Sequence, residues 1–428
     1  MTGGVCTTRA GRTTTLFLCP SVYNYCVTDD TGPTPPSERI LSLDLLRGVA
    51  VLGILVINVR VFSMPELTLT NPNVYGEFTG LNYWSWLAGH LFAELKFITL
   101  FSALFGLGIV LFIENKETDE AGVRLHYRRT GWLLVIGLAH AYLFWYGDIL
   151  VPYALCGLVL VGLRNREPLT QAKLGLVLLA VPSALELLAG VTMGGEAVAD
   201  QWEPAATTLQ SEVATYRSGW LEQFDHRLPA AVRRQTVGFI GGSFWRVGGT
   251  VLLGMALYRW GVLTGERSTG FYYRLVAGGL LGVAVVLLGV LYIESRDWSA
   301  GAALYWQQFN YWGSFLVAGG YVGLVSLYAR WRPRGPLSRA LAAVGRTAFS
   351  NYLLQTVVAT TVFYGHGFGL FGSVDRATAL GMVAVFWVVQ VLLSVLWLRV
   401  FSFGPVEWLW RTLTYGEKQP LRRPGQQD

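Results

Sequence analysis

Five side chains in this sequence have the types and placement to handle protons or charge inside an apolar environment: His90, Glu94, His140, Asp148 and Asn58. His90 and Glu94 are four residues apart and so share one helix face. A His–carboxylate pair in an apolar helix can shuttle a proton or keep the imidazole ready as a base. A satisfied buried pair is the structural alternative. Lys96 follows two residues on and is expected to point elsewhere. His140 falls roughly 15 Å into its apolar run at 1.5 Å per residue, close to the middle. Asp148, at the turn that follows, either orients a base or caps the next helix. Asn58, at the far end of the first apolar run, can donate a hydrogen bond to a developing oxyanion or serve as a cap or loop contact.

A second group has the chemistry of binding. Asp44 and Arg47 have the three-residue spacing of a helical ion pair. Arg47 and Asn58 are eleven residues apart, about three turns, so they point the same way about 16 Å apart along the axis. Arg124, Arg128, Arg129 and Arg346 fall on the same side of the chain's apolar segments as Arg47. Such a basic mouth suits a phosphate-bearing donor or an anion; alternatively these arginines only set orientation. Arg246 follows Gly241-Gly242-Ser243 at a depth where it needs a carboxylate, and Glu94 and Asp148 match it. Asn351 and Gln355 are four apart, as are Gln390 and Ser394, and such amides and hydroxyls commonly knit membrane helices together. Ionisable groups inside hydrocarbon are costly and are functional candidates by default.

The elements that must position these groups are membrane helices. The chain has 428 residues, 53% hydrophobic and 14% charged, against roughly a quarter charged in soluble domains, and its mean hydropathy is +0.42. Fifty Gly suit closely packed membrane helices, and 16 Trp with 20 Tyr suit interfacial aromatic belts. Ten apolar runs approach the length needed to cross a bilayer: 40–62, 85–113, 130–146, 148–164, 172–193, 236–258, 272–293, 307–329, 340–363 and 378–402. The third and fourth are short and meet at Trp145-Tyr146-Gly147-Asp148, as a tight hairpin would. With both termini cytoplasmic, inner segments hold 22 Lys/Arg and outer segments 7, as the positive-inside rule requires. The expected fold is an all-α polytopic membrane protein of about ten transmembrane helices, placed in the plasma membrane. Residues 1–38 are expected to be a disordered tail, 39–416 one membrane-embedded domain with a C-terminal core of about 236–416, and 417–428 a cytoplasmic tail.

Composition also excludes. The basic residues are dispersed between apolar segments, so the net charge of +6 does not make the concentrated face that nucleic acid requires. The partners to expect are the bilayer and a small molecule, lipid or glycan acceptor. The four Cys show no metal-ligand spacing, and no metal is expected. Gly367-x-Gly369-x-x-Gly372 has the dinucleotide spacing but follows no strand and lies in an outer loop with His366. No P-loop, nucleophile elbow or zinc-protease motif is present.

The chain from Arg39 onward resembles the YeiB-like family, membrane proteins filed as domain of unknown function 418. The resemblance rests on Arg39-x-x-x-Leu43-Asp44-x-Leu46-Arg47-Gly48-x-Ala50 with Asn58, on Phe101-Ser102-x-Leu104-Phe105-Gly106-x-Gly108, and on Arg128-Arg129, His140 and Gly147-Asp148-Ile149-Leu150. It continues with Gly345-Arg346-Thr347-Ala348-x-Ser350-Asn351-Tyr352-Leu353-Leu354-Gln355 and Gly404-Pro405-x-Glu407-Trp408-Leu409-Trp410-Arg411. The family's activity is not established; a transport role has been suggested. The first helix is also similar to that of transmembrane acyltransferases of the heparan glucosaminide N-acetyltransferase and acyltransferase-3 groups. The similarity implies acyl transfer from cytoplasmic acyl-CoA to an acceptor on the other side. Acyltransferase-3 members place a His where this chain has Asn58, and residues 60–84 contain none, so His90 or His140 would be the base. Three functions follow: acyl transfer with acyl-CoA as donor substrate, transport of a small solute or anion coupled to protons through His90, Glu94 and His140, or a non-catalytic membrane scaffold.

Overall fold

The computed structural model describes residues 40–423; the expected tail at 1–38 lies outside them. Its helices are α1 Leu41–Ser63, α2 Gly80–Phe92, α3 Lys96–Glu114, α4 Asp119–Leu143, α5 Leu150–Leu160, α6 Pro168–Thr192, α7 Ala199–Trp202, α8 Ala206–Tyr216, α9 Phe224–Gln235, α10 Phe244–Arg259, α11 Thr269–Glu294, α12 Ala300–Trp331, α13 Pro336–Arg346, α14 Ala348–Phe363, α15 Arg376–Val400 and α16 Pro405–Tyr415. Among the described residues, seven helical segments are long and apolar enough to cross a membrane: α1, α2–α3, α6, α9–α10, α11, α12 and α15. The chain is therefore an all-helical multipass membrane protein.

The other three expected spans are helical but short of that standard. The first turns of α4 carry Asp119, Glu120, Arg124, Arg128 and Arg129, which leaves only about 21 Å of apolar helix at 1.5 Å per residue. α5 has 11 residues and α14 has 16, about 17 and 24 Å against a hydrocarbon core of ~30 Å. The α4–α5 hairpin is covered at its turn by the segment carrying α8 and α9. Trp220 Nε1 donates to the Leu143 carbonyl at 2.9 Å, and Arg227 Nε to that of Tyr142 at 2.9 Å. This cover satisfies helix-end carbonyls that would otherwise lack partners.

Two expected helices are broken. The run 85–113 divides into α2 and α3, where Leu95 takes a left-handed conformation (φ 64°, ψ −17°). A leucine there costs ~1–2 kcal/mol, and the turn separates Glu94 from Lys96. The run 340–363 divides at Thr347, whose hydroxyl donates to the Ala343 carbonyl at 3.0 Å. Glu407 of α16 accepts from the Phe349 N–H at 2.7 Å and the Ser350 N–H at 3.1 Å, capping the new N-terminus of α14 as a carboxylate should. The run 236–258 begins earlier than expected, because α9 continues through a π-helical turn at Phe239–Ser243 into α10. Beyond α16 the chain turns back, and Ser402 N–H donates to the Leu421 carbonyl at 2.8 Å.

Small residues let the helices meet at backbone distance. α1 packs on α3, α13, α14 and α15, and α10 lies between α3 and α6. A Cβ at Gly345 of α13 would stand 1.8 Å from the Asp44 carbonyl oxygen, and one at Gly48 would stand 2.2 Å from the Leu341 carbonyl oxygen. Neither contact can relax by a side-chain rotation, since both partners are main chain. Gly345→Ala is expected to destabilise the protein by at least the ~1–3 kcal/mol of core overpacking. Thermal melting in detergent checks this against Gly381→Ala, where open space surrounds the position and no loss is expected.

Candidate functional site

Among the described residues, a main cavity of about 370 Å³ opens between the first turns of α1, the last turns of α3, and α16. Its mouth carries Asp44, Arg47, Lys116, Arg129, Arg346, Glu407 and Arg411. Five cations against two carboxylates make it basic, and several are pinned. Arg47 Nη1 lies 3.4 Å from Asp44 Oδ1. The Arg129 guanidinium sits between the Phe112 and Trp410 rings, 4.7 and 4.4 Å from their centroids, a cation–π geometry. Lys116 Nζ donates to the Tyr415 hydroxyl at 3.2 Å. Burial pushes the Glu407 carboxyl above its usual range, while its hydrogen bonds from Ser350 and the α14 N-terminus oppose that. Below the mouth the wall is mostly apolar, with Phe101, Leu104, Phe105 and Leu133 beside the buried His126 and Thr130, and the floor is Ile149, Leu150, Tyr153 and Tyr352.

His140 and Asp148 lie just behind that floor. His140 Nδ1 is 2.7 Å from Asp148 Oδ1, and His140 Nε2 is 2.9 Å from Thr356 Oγ1. All three residues are buried. The second Asp148 oxygen accepts the Val151 N–H at 2.7 Å, so this carboxylate both caps α5 and orients the imidazole. The Tyr352 ring, on the cavity floor, has its centroid 5.3 Å from that of His140.

His90 and Glu94 form a separate centre at the α2–α3 break. Glu94 Oε2 is 3.1 Å from His90 Nδ1 and 3.4 Å from Arg60 Nη1, and Glu94 Oε1 accepts from Asn310 Nδ2 at 3.2 Å. Lys96, expected to point away, is turned back by the break. Its Nζ donates to the His90 carbonyl and to Asn310 Oδ1, both at 2.5 Å. The His90 ring stacks between Trp86 and Trp306, with centroids at 5.0 and 5.4 Å, and its Nε2 has no hydrogen-bond partner among the described residues.

Arg246 pairs with neither carboxylate that its depth suggested. It donates to Thr99 Oγ1 at 3.0 Å and Ser314 Oγ at 2.8 Å, and lies over the Tyr311 ring at 4.6 Å. These hydroxyls and the π face hold a cation that α10 brings between α3 and α12. Asn58 is half-buried and outside the cavity lining, and no hydrogen bond joins it to either histidine among the described residues. Arg128 is exposed and also outside the lining, unlike Arg129. Asn351 and Gln355 tie α14 to its neighbours: Asn351 Nδ2 donates to Ser394 Oγ at 3.0 Å, and Gln355 Nε2 to the Val51 carbonyl at 2.8 Å. His366 is exposed.

Arg60, Asn310, Thr356 and Arg411 are members of these centres that sequence reasoning passed over. Arg60 closes the last turn of α1 and is 8% exposed. The available signal was its position: one residue past Val59, still inside the apolar helical phase.

Residues 257–417 match the family model described as a protein of unknown function (DUF418). Over 387 residues the chain is 35% identical to the uncharacterized protein YeiB of Escherichia coli (strain K12), covering 88% of this chain and 96% of that one. It is 34% identical over 414 residues to the uncharacterized protein YxaH of Bacillus subtilis (strain 168), covering 91% and 98%. An uncharacterized 39.9 kDa protein in the amylase 3' region of Bacillus acidopullulyticus is 27% identical over 401 residues, covering 91% and 97%. With identity of this level over nearly the whole of both chains, the protein belongs to the YeiB-like DUF418 family.

Proposed function

We propose that this protein is an acyltransferase of the plasma membrane, with both termini cytoplasmic, that takes an acyl group from cytoplasmic acyl-CoA and delivers it to an extracytoplasmic lipid or glycan acceptor. The observation that carries this reading is the shape and charge of the main cavity. Its basic mouth suits the phosphates of a nucleotide; the cavity as a whole, about 370 Å³, falls in the range of small-molecule pockets, and its more apolar depth suits a thioester arm. The shaft ends against Tyr352, with His140 and Asp148 behind it. A histidine oriented by a carboxylate is the group that would deprotonate an acceptor hydroxyl or amine. Arg47, Arg129, Arg346 and Arg411 would hold the donor. Calorimetry with acyl-CoA tests this. Arg47→Ala and Arg411→Ala are each expected to weaken binding about tenfold, near 1.4 kcal/mol, the low end for a charge-assisted hydrogen bond. Wild-type protein that binds no acyl-CoA rules the reading out.

A second reading, proton-coupled transport of a small solute or anion, is favoured by the helix break at Leu95. Transporters place broken helices and charged side chains at their midplane sites, and here Arg60, Glu94, Lys96 and Asn310 converge at such a break. His90 and Glu94 would carry the proton. In proteoliposomes with an imposed pH gradient, this reading expects proton-linked uptake that Glu94→Gln abolishes. Uptake unchanged by that substitution removes Glu94 from the coupling. If wild-type protein neither binds acyl-CoA nor moves solute, a scaffold role is what remains.

A further inference from the structure

The geometry points to Thr356 as a nucleophile that carries the acyl group on the protein between donor and acceptor; this rests on the acyl-transfer reading. Thr356 Oγ1, His140 and Asp148 stand in the order hydroxyl, imidazole, carboxylate, at 2.9 and 2.7 Å. A hydroxyl nucleophile, a base and an orienting acid are recognised by this arrangement whatever their order in the chain. Three elements must meet to build it: α14, the last turn of α4 and the turn before α5. Asp148 is held as an acceptor by the Val151 N–H as well as by the imidazole. This fixes the tautomer with Nδ1–H toward Asp148 and leaves Nε2 to accept the Thr356 proton.

The triad is placed to meet the donor. Thr356 is four residues beyond Tyr352 on α14, about 6 Å along the axis, and Tyr352 is part of the cavity floor. The Tyr352 hydroxyl is held at the floor by one long hydrogen bond, from the Ile149 N–H at 3.3 Å. A rotation of that ring about its side-chain torsions would join the shaft to Thr356. Tyr352 thus borders both the cavity and His140.

The step balances without a further reagent. Thr356 Oγ1 attacks the thioester carbonyl carbon as His140 Nε2 takes the hydroxyl proton. The C–S bond breaks, and the thiolate of CoA leaves with that proton. The acceptor's hydroxyl or amine then attacks the Thr356 ester while His140 takes its proton. The acyl group passes to the acceptor, and the Thr356 oxygen recovers a proton from His140.

The test uses full-length protein in detergent, acetyl-CoA as probe, and no acceptor. Wild type is expected to release one equivalent of CoA per chain and to gain one acetyl group, mapped by peptide mass spectrometry to Thr356. Thr356→Ser is expected to keep the adduct and Thr356→Val to lose it with acetyl-CoA binding unchanged. His140→Gln should form the adduct at least about 100-fold more slowly, the loss expected on removing a general base. Mapping the wild-type adduct keeps the test decisive if Thr356→Val does not fold. An adduct on another residue, or binding with no adduct, overturns the role of Thr356 and leaves the donor reading standing. Absence of acetyl-CoA binding in wild type ends both.

Discussion

A buried polar group in a bilayer has no water to fall back on, and the arrangement of this protein follows from that constraint. Glu94 shows it best. One carboxylate gathers Arg60 from α1, His90 from its own helix and Asn310 from α12, and Asn310 in turn takes Lys96 from α3. Removing a partner from such a group costs several kcal/mol, because the remaining charge stays desolvated. The α2–α3 helix therefore breaks. A continuous helix would point Lys96 away from Glu94, while the left-handed Leu95 turns both into one network at a cost of ~1–2 kcal/mol.

The same constraint explains the separation of the protein into two polar regions. The mouth of the cavity can carry several cations because its surface is open and aromatic faces screen some of them, as Phe112 and Trp410 do for Arg129. Deeper in the bundle, among the described residues, charged side chains are gathered with polar partners, as around Glu94. Arg246 illustrates the difference: among the described residues no carboxylate forms an ion pair with it, and two hydroxyls, a carbonyl and the Tyr311 and Phe315 rings lie around its guanidinium. The close contact of α1 with α13 at Gly48 and Gly345 then sets the cavity wall, since Asp44 and Gly345 both border it.

Much of this was legible in the residues, and the limit was distance along the chain. Asp44–Arg47 and His90–Glu94 were readable because helical spacing alone brings three- and four-residue neighbours together. Asp148 could be read as orienting a base or capping a helix, but eight residues spanning a turn have no fixed geometry, so its partnership with His140 needed the fold. Thr356 and Asn310 lie 216 residues from His140 and Glu94 respectively, so only tertiary packing could reveal them. Apolar periodicity located every long helix but not the breaks at Leu95 and Thr347. Both arise from polar partners elsewhere in the fold, Asn310 in one case and Glu407 in the other. Length was less legible. α5, α14 and the apolar part of α4 are each shorter than the ~30 Å bilayer core, and the cover from α8 and α9 satisfies the carbonyls at the hairpin's turn.

The short α4–α5 hairpin has a consequence for chemistry. A full-length pair would carry Asp148 to the far surface, where water would compete for His140. The turn after α4 runs directly into Ile149 and Leu150, which line the cavity. The carboxylate that caps α5 is thereby buried beside an imidazole and a hydroxyl. In that low-dielectric setting each hydrogen bond is stronger than it would be in water. The turn thus does two things: it supplies residues of the cavity floor, and it holds His140 beside Tyr352. Neither the basic mouth nor the His–Asp pair alone distinguishes acyl transfer from simple anion binding. Their meeting at Tyr352 does favour it, because an anion site has no use for an oriented imidazole at the dry end of its shaft.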